Sequence, residues 1–405
     1  MTNLVEATSY IRSRYREIRS DRYDAFVRKS KLRLRAPVIH VAGSNGKGST
    51  CFYLTEIATK KYGDSVGTLY NSFFDLANEA ICLGGKPIKE EKFLSWFNKG
   101  LPLFEKFEVT GFEILVYIAY NAFEEAGVSL AILECGMGGS DDPTNIDGLD
   151  TRLALVTNVS LEHTEYLGTT PSEIAWNISG IIKKGVPVII GAMDENSLDA
   201  LREVAAREKT SLTRVERPYL PHVIQGIAFQ FDYSPYKGIV LPTLAHYQVA
   251  NACMALEATK NCPLLALDEE DIRSALSEGT IPGRLEKKGN VYLDCASNPA
   301  AIESLYRCIQ TIGRGRPVHV LFGSKTSSNL SVMLPLLDDA ASNVVLTSFQ
   351  DEEARGEEGY ALYIEDHLYI ENPLMALMHL QMTYPNDPIL ITGSATLIAE
   401  MKKAL

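Results

Sequence analysis

The chain has 405 residues, 46% of them hydrophobic and 22% charged, with a formal net charge of −12. That length exceeds one ordinary core and sets two domains as the expectation, while the acid surplus argues against nonspecific binding to nucleic acid, whose phosphates demand clustered positive charge. No run approaches the roughly 18 to 20 consecutive apolar residues of a membrane span, and the N-terminal MTNLVEATSYIRSRYR lacks the apolar core of a secretory signal, so a cytoplasmic location without membrane association is expected.

In chain order, residues 11–35 carry ten Lys or Arg and three acids. The spacing of Tyr15, Ile18, Tyr23 and Phe26 there predicts an amphipathic helix with a solvated basic face, to which no function is assigned. VIHVA (38–42) predicts a strand, then a glycine loop, then the helical CFYLTEIATKKY. SVGTLY (65–70) predicts a second strand, and TGFEILVYIAYNAFEEAG (110–127) a helix closed by glycine. SLAILE (129–134), RLALVTNV (152–159) and VPVIIG (186–191) are further apolar strands, the last preceded by the helix-like PSEIAWNISGIIKK. Continuous apolar strands separated by helices predict a parallel sheet covered on both faces.

Residues 211–243 break the pattern with alternating pieces such as IAFQFDY and predict an antiparallel insertion, followed by the helical YQVANACMALEATK (247–260). After IPGRLE (281–286) the alternation restarts with VYLDCA, PVHVLFG, NVVLTSF and PILITG, each followed by a helix. The fold class is therefore α/β, with a parallel-sheet domain that carries the glycine loop expected over 1–281 and a smaller Rossmann-like α/β domain over 282–405, the boundary lying near Ile281–Pro282. The seven cysteines, at 51, 82, 135, 253, 262, 295 and 308, are odd in number and form no C-x-x-C pair. Reduced thiols are expected, without disulfides or a structural zinc site.

The loop AGSNGKGS departs from the Walker pattern G-x-x-x-x-G-K-[ST], with Val41 at the first glycine and Gly48 at the hydroxyl position. Its strand–loop–helix context nevertheless meets the physical requirement for phosphate binding. Gly43, Gly46 and Gly48 let backbone approach phosphates, the helix start supplies oriented N–H groups, Lys47 reaches phosphate oxygens, and Ser49 can contact phosphate or metal. An ordinary glycine turn would leave Lys47 unexplained. Glu134, ending a buried strand before a glycine turn, offers the hard oxygen that magnesium prefers, although such carboxylates are common without a metal. His163, in TNVSLEHTEYLG, is expected at the same strand-end edge, where ligands of open α/β sheets gather; a satisfied structural histidine is the plain alternative.

The motifs AGSNGKGS, TGFEIL, LECGMGG…TN, TNVSLEHTEYLG, GIIKKGVPVIIG, PGRLE, DCASNP and ITGS occur in this order from about residue 10 to 400. Together they resemble the landmarks of the folylpolyglutamate synthase and dihydrofolate synthase family, within the Mur ligase superfamily, whose loop departs from the Walker pattern at the same places. The resemblance implies a two-domain ligase, acting as a monomer, that uses ATP and Mg2+ to join a small-molecule carboxylate, folate-like or other, to an amino acid, expected to be glutamate. It puts Lys47 and His163 at the catalytic centre, the nucleotide on Gly43, Ser44, Asn45, Gly46, Lys47, Gly48, Ser49, Thr50, Asn251, Arg284 and Asp294, and magnesium on Ser72, Glu134 and His163.

Departures from the family fall at chemical positions. Ile178 stands where a carbamylated lysine helps hold a second magnesium, Ser140 replaces an arginine, Ser297 replaces a histidine associated with the amino acid, SKTSSN (324–329) lacks two acids, and Phe73 replaces a proline. Two readings follow: a ligase with a changed acceptor, or a catalytically weak or inactive nucleotide-binding relative serving as a regulatory or assembly partner. A simple NTPase or kinase would not need the second domain.

Overall fold

The computed structural model describes residues 1–16 and 19–405. After helices α1 (Leu4–Ser13) and α2 (Tyr23–Ser30), strand β1 (Pro37–Ala42) leads through a glycine loop into α3 (Lys47–Tyr62) and β2 (Val66–Leu69). A short hairpin, β3 (Ile81–Leu83) and β4 (Lys86–Pro87), precedes helices α4 (Glu90–Phe107) and α5 (Gly111–Ala126). Then come β5 (Leu130–Glu134), β6 (Asp150–Val156), α6 (Thr164–Leu167), α7 (Pro171–Ile178), β7 (Val188–Ile190), α8 (Glu195–Arg207) and β8 (Leu212–Arg214). These strands form one sheet in the order β4-β3-β2-β5-β1-β6-β7-β8. It is parallel from β2 to β8, and β3 and β4 extend it antiparallel at one edge.

The apolar runs have the burial their composition demands: β5 is buried along its whole length and β1 everywhere but its first residue. One core cluster joins strand residues Val38, Leu69, Ala131 and Leu133 to α1, α2, α4 and α5; another joins Ala42, Val156, Val188 and Ile190 to α7 and α8. Thr110 and Glu113 form a reciprocal capping box at the start of α5, and Gly127 ends it in the left-handed conformation.

Strands β9 (Tyr219–Ile224), β10 (Ala228–Tyr233) and β11 (Tyr236–Leu241) form a separate three-stranded sheet, followed by α9 (His246–Asn261) and α10 (Glu269–Glu278). The C-terminal part contains β12 (Glu286–Lys288), β13 (Val291–Leu293), α11 (Pro299–Gly313), β14 (His319–Phe322), α12 (Leu330–Ala340), β15 (Asn343–Leu346), α13 (Pro373–Thr383), β16 (Ile389–Thr392) and α14 (Ala395–Ala404). Its sheet has the order β12-β13-β16-β14-β15, parallel except for the first pair. The chain divides into two compact units: 1–220, 231–240 and 250–279 form the first, and 221–230, 241–249 and 280–405 the second.

Three expectations change. The basic segment is not one helix: α1 stops at Ser13 because the Arg14 carbonyl accepts from Gly111 N–H at 2.8 Å, and Tyr15 leaves the helical path; Ile18 lies outside the described residues. The main sheet is not wholly parallel, since the two-residue turn at Gly84–Gly85 returns the chain as a hairpin. Leu212–Arg214, read as insertion, pairs parallel with β7 as the last strand of the main sheet. Among the described residues no helix is long and apolar enough to cross a membrane. All seven cysteines are free and buried.

Candidate active site

In the first unit the chain leaves β1 toward β2 on one side, whereas it leaves the adjacent strand β6 toward β7 on the other. The winding therefore reverses between β1 and β6, which opens a crevice at their carboxyl ends. The loops leaving these two strands are joined there. Ser44 N–H donates to Asn158 O (3.0 Å), Asn45 N–H to Asn158 Oδ1 (3.0 Å), and Asn158 Nδ2 back to Asn45 O (2.8 Å). Ser160 N–H donates to Ser44 Oγ (2.9 Å). The loop that contains His163 is thus tied to Gly43–Gly46 through Asn158 and Ser160. His163 itself is exposed, at φ 45°, and opens the short α6.

Two glycines show what packs on the loop. Gly46 has φ 85°, and a Cβ there would stand 2.3 Å from Asn251 Oδ1, so Asn251 lies against the loop. A Cβ on Gly48 would stand 3.2 Å from Glu134 Oε2, a tight contact, so that carboxylate sits close against the first turn of α3. Among the described residues no side-chain hydrogen bond caps the helix at Gly46, leaving the positive end of α3 directed at the loop. Lys47 Nζ curls over the loop, donating to the carbonyls of Gly43 (2.7 Å) and Ser44 (3.1 Å). Ser49 is buried in the same turn, and the Thr50 hydroxyl is buried without a hydrogen-bond partner among the described residues.

Glu134 is 5% exposed and accepts from Asn71 N–H at 3.1 Å. Ser72, the next residue, is exposed beside it. One buried carboxylate with nearby hydroxyls is a donor set suited to a magnesium ion that keeps several waters. The unsatisfied Thr50 hydroxyl, Lys47 and the uncapped helix start suit an anionic phosphate. Phe73, at the family's proline position, has the Arg12 guanidinium 5.2 Å above its ring and the Tyr15 ring edge-on at 6.4 Å.

A second group of metal-type donors, His40, Cys135 and Asp142, lies fully buried in the same unit. Its centre is taken by the Thr144 hydroxyl, 2.8 Å from His40 Nε2, 3.7 Å from Cys135 Sγ and hydrogen-bonded to Asp142 Oδ1. Asp142 Oδ2 accepts from the N–H groups of Gly136 (2.7 Å) and Met137 (3.0 Å), which fixes the turn after Glu134. Burial raises the Asp142 carboxyl to about 6 and lowers His40 to about 3.

With this geometry in view, similarity to known proteins becomes informative. The Mur ligase middle domain matches residues 41–259, more than half of the chain. The chain belongs to the Mur ligase family. Within that superfamily the relatives it resembles include folylpolyglutamate and dihydrofolate synthases. It is 28% identical over 389 residues to the dihydrofolate synthase/folylpolyglutamate synthase of Bacillus subtilis, covering 90% of each chain. It is 28% identical over 387 residues to the folylpolyglutamate synthase of Lacticaseibacillus casei, covering 91% of this chain and 89% of that one. The fold matches that of Mycobacterium tuberculosis folylpolyglutamate synthase complexed with ADP at a TM-score of 0.86, with 24% identity over 99% of this chain and 98% of that one.

In the second unit of this Mur ligase family member, Asp294 is buried at the end of β13. Its Oδ2 accepts from Leu285 N–H (2.9 Å) and the Tyr247 hydroxyl, and its Oδ1 from Ala296 N–H (3.0 Å). Burial raises its carboxyl above the ordinary range, opposed by the neighbouring Arg284. Oδ2 thus ties the Arg284–Leu285 turn to Tyr247, while Oδ1 holds the local turn at Ala296. The Ile178 side chain is 1% exposed and packs among Ile174, Ala175 and Ile181, so it points into the core. Ser140 donates through its N–H (2.9 Å) and Oγ (3.0 Å) to the Asn177 carbonyl. The reading of motifs passed over Asn71 and Asn158. The TN before VSLEH was a visible signal for Asn158; Asn71 acts through its backbone N–H, which no side-chain pattern reveals.

Proposed function

We propose that this chain is an ATP-dependent ligase that joins a carboxylate to an amine through an acyl phosphate. The observation that carries this reading is the loop 43–50, held between Glu134 at Gly48 and Asn251 at Gly46. Residues 1–281 then form the nucleotide-binding part and 282–405 the C-terminal part of the enzyme. Lys47 and the first-turn N–H groups of α3 bind phosphate oxygens, Ser49 and Thr50 add hydroxyl contacts, and Asn251 and Arg284 contact the nucleotide. Asp294 contributes by fixing the turn that carries Arg284. Ser72, Glu134 and His163 hold magnesium, which neutralises charge on the phosphates when bound.

An oxygen of the substrate carboxylate attacks the γ-phosphorus, and the bond to the bridging oxygen breaks to release ADP. The amine nitrogen then attacks the acyl carbon, the C–O bond to phosphate breaks, inorganic phosphate departs and the amine loses a proton. The protein's part is positioning and charge neutralisation. The names of the relatives favour a folate-like carboxylate and glutamate as first substrates. Glu134 and His163 favour such a ligase, with its acceptor or amino acid changed, whereas Ser140 and Ser297 stand with Ile178 on the side of the second reading below. With Ile178 in the core, the enzyme works with one protein-held magnesium or a rearranged second site. It is a monomer acting on small molecules in the cytoplasm.

The buried Ile178 also favours a second reading, a weak or inactive relative that binds nucleotide as a regulatory or assembly partner. ADP release from Mg-ATP decides between them, with Lys47→Ala as blank, using L-glutamate with dihydropteroate or a reduced folate and then a wider panel of carboxylates and amino acids. Release that needs both a carboxylate and an amine, and is lost in the blank, is expected. Nucleotide binding without turnover across the panel supports the second reading, and hydrolysis indifferent to both substrates points to a simple NTPase.

A further inference from the structure

The loop that carries Ser72 is fastened by the N-terminal helix and the residues just beyond it. Arg12, near the end of α1, donates through one Nη2 to the carbonyls of Phe74 (2.8 Å) and Asp75 (3.0 Å), while its guanidinium lies over the Phe73 ring. The Tyr15 hydroxyl donates to the Asn71 carbonyl, and its ring meets Phe73 edge-on. Ala77 N–H donates to Thr8 of α1 at 3.0 Å. The N–H groups of Phe74 and Asp75 close on Glu79 at 2.9 and 3.1 Å.

Of these contacts the Tyr15 hydroxyl falls on Asn71, whose N–H holds Glu134 Oε2 at 3.1 Å, and the others hold the backbone that follows it, residues 74–77. The path from Tyr15 to the carboxylate therefore runs through one residue, Asn71, whose carbonyl accepts from Tyr15 and whose N–H donates to Glu134. Ser72 is the next residue along, so the direction of its hydroxyl is set by the same grip. A carboxylate and a hydroxyl on separate segments form one cation edge only if both segments are held in register, and groups outside the ligand set usually do this.

We propose that Arg12 and Tyr15 are positioning residues that set the Glu134–Ser72 edge for a divalent cation, a role resting on the site reading above. Neither is among the residues assigned to nucleotide or metal in that reading. Tyr15 acts through Asn71, and Arg12 through the backbone of Phe74 and Asp75. Arg12 is exposed, yet its hydrogen bonds go to backbone carbonyls of this loop, a use of guanidinium that fixes chain geometry and leaves surface charge pairing aside.

The test is calorimetric binding of ADP to the full chain, without metal in EDTA and across a Mg2+ titration, for wild type, Arg12→Ala, Tyr15→Phe and Lys47→Ala. Both positioning variants are expected to keep the metal-free ADP affinity while the Mg2+ concentration for half-maximal tightening rises about tenfold. Tyr15→Phe deletes one oxygen and decides the matter even where Arg12→Ala fails to fold. An unchanged Mg2+ requirement in folded Tyr15→Phe overturns the proposal, as does an equal loss of metal-free affinity, which marks general damage to the fold. Wild-type binding indifferent to both Mg2+ and Lys47→Ala overturns the underlying site reading instead, and is recognised by the Lys47→Ala arm.

Discussion

His40 has no exposed surface and sits on the strand that delivers the phosphate loop. The Thr144 hydroxyl donates to Asp142, so it accepts from His40, which places the imidazole proton on Nε2. Nδ1 is buried with no hydrogen-bond partner among the described residues. Burial, helped by the positive charge of Lys183, lowers its pKa to about 3. A depressed histidine is neutral in the folded state while the unfolded chain takes up a proton near pH 6.5. Its contribution is fully present above that pH and lost as pH falls toward 3. Between pH 7 and 5 this costs the wild type about 2 kcal/mol relative to a variant without the imidazole. His40→Gln is therefore expected to be less stable than wild type at pH 7 and to close the gap by that amount at pH 5, measured by urea denaturation. A gap constant across that range would mean that His40 is not held neutral. Asp142 works in the opposite direction, its raised carboxyl favouring the folded state below about pH 6. Because Asp142 is present in both proteins, the comparison isolates the histidine.

At the scale of elements, buried polar anchors decide where loops run. Asp294 ties three donors, Tyr247 and Leu285 from two other segments and Ala296 from its own, and an amide in its place has one acceptor and two donors. Asp294→Asn leaves at least one buried donor facing an N–H group, an expected loss of about 1 to 3 kcal/mol. Tyr247→Phe removes one donor and leaves the carboxylate two others, with an expected loss of about 1 kcal/mol. Equal stability of both variants and wild type in urea denaturation would show that the Arg284 turn is held by something else. Such anchors also separate what was legible in the sequence from what was not. Strands β1, β5 and β6, helix α5 with its Thr110–Glu113 box, and the loop 43–50 each state their signal within a few consecutive residues. The break between α1 and α2 does not, because the group that takes the Arg14 carbonyl is Gly111, far along the chain. Strand β8 has only partly buried or exposed residues and so no apolar run to betray it. Asn71 and Asn158 matter through pairings with Glu134 and Asn45, each settled by tertiary folding. The site was legible where its chemistry is local, and hidden where one segment holds another.

Across the whole molecule the two units have separate cores. The clusters built around Val38 and Phe112 and around Val156 and Ile178 belong to the first, and the cluster around Leu305, Val320 and Leu390 to the second. Both tryptophans, Trp96 and Trp176, lie in the first unit, the one with the phosphate loop. Trp96 donates to Glu125 at 2.7 Å and Trp176 has Arg207 at 5.7 Å from its ring, so unfolding strips both of defined surroundings. Tryptophan emission therefore follows the first unit, while far-ultraviolet circular dichroism follows the helices of both. A ligand that binds only the folded state at a hundred times its Kd adds about 2.7 kcal/mol. Mg-ADP at that excess is expected to raise the tryptophan-detected unfolding free energy by this amount in wild type and to leave Lys47→Ala unmoved. An equal shift in Lys47→Ala would remove the nucleotide from the 43–50 loop. A circular dichroism transition that moves together with the tryptophan signal means that the units unfold as one cooperative body. A dichroism change that splits, with one part unmoved, means that ligand energy delivered to the loop stays within the unit that holds it.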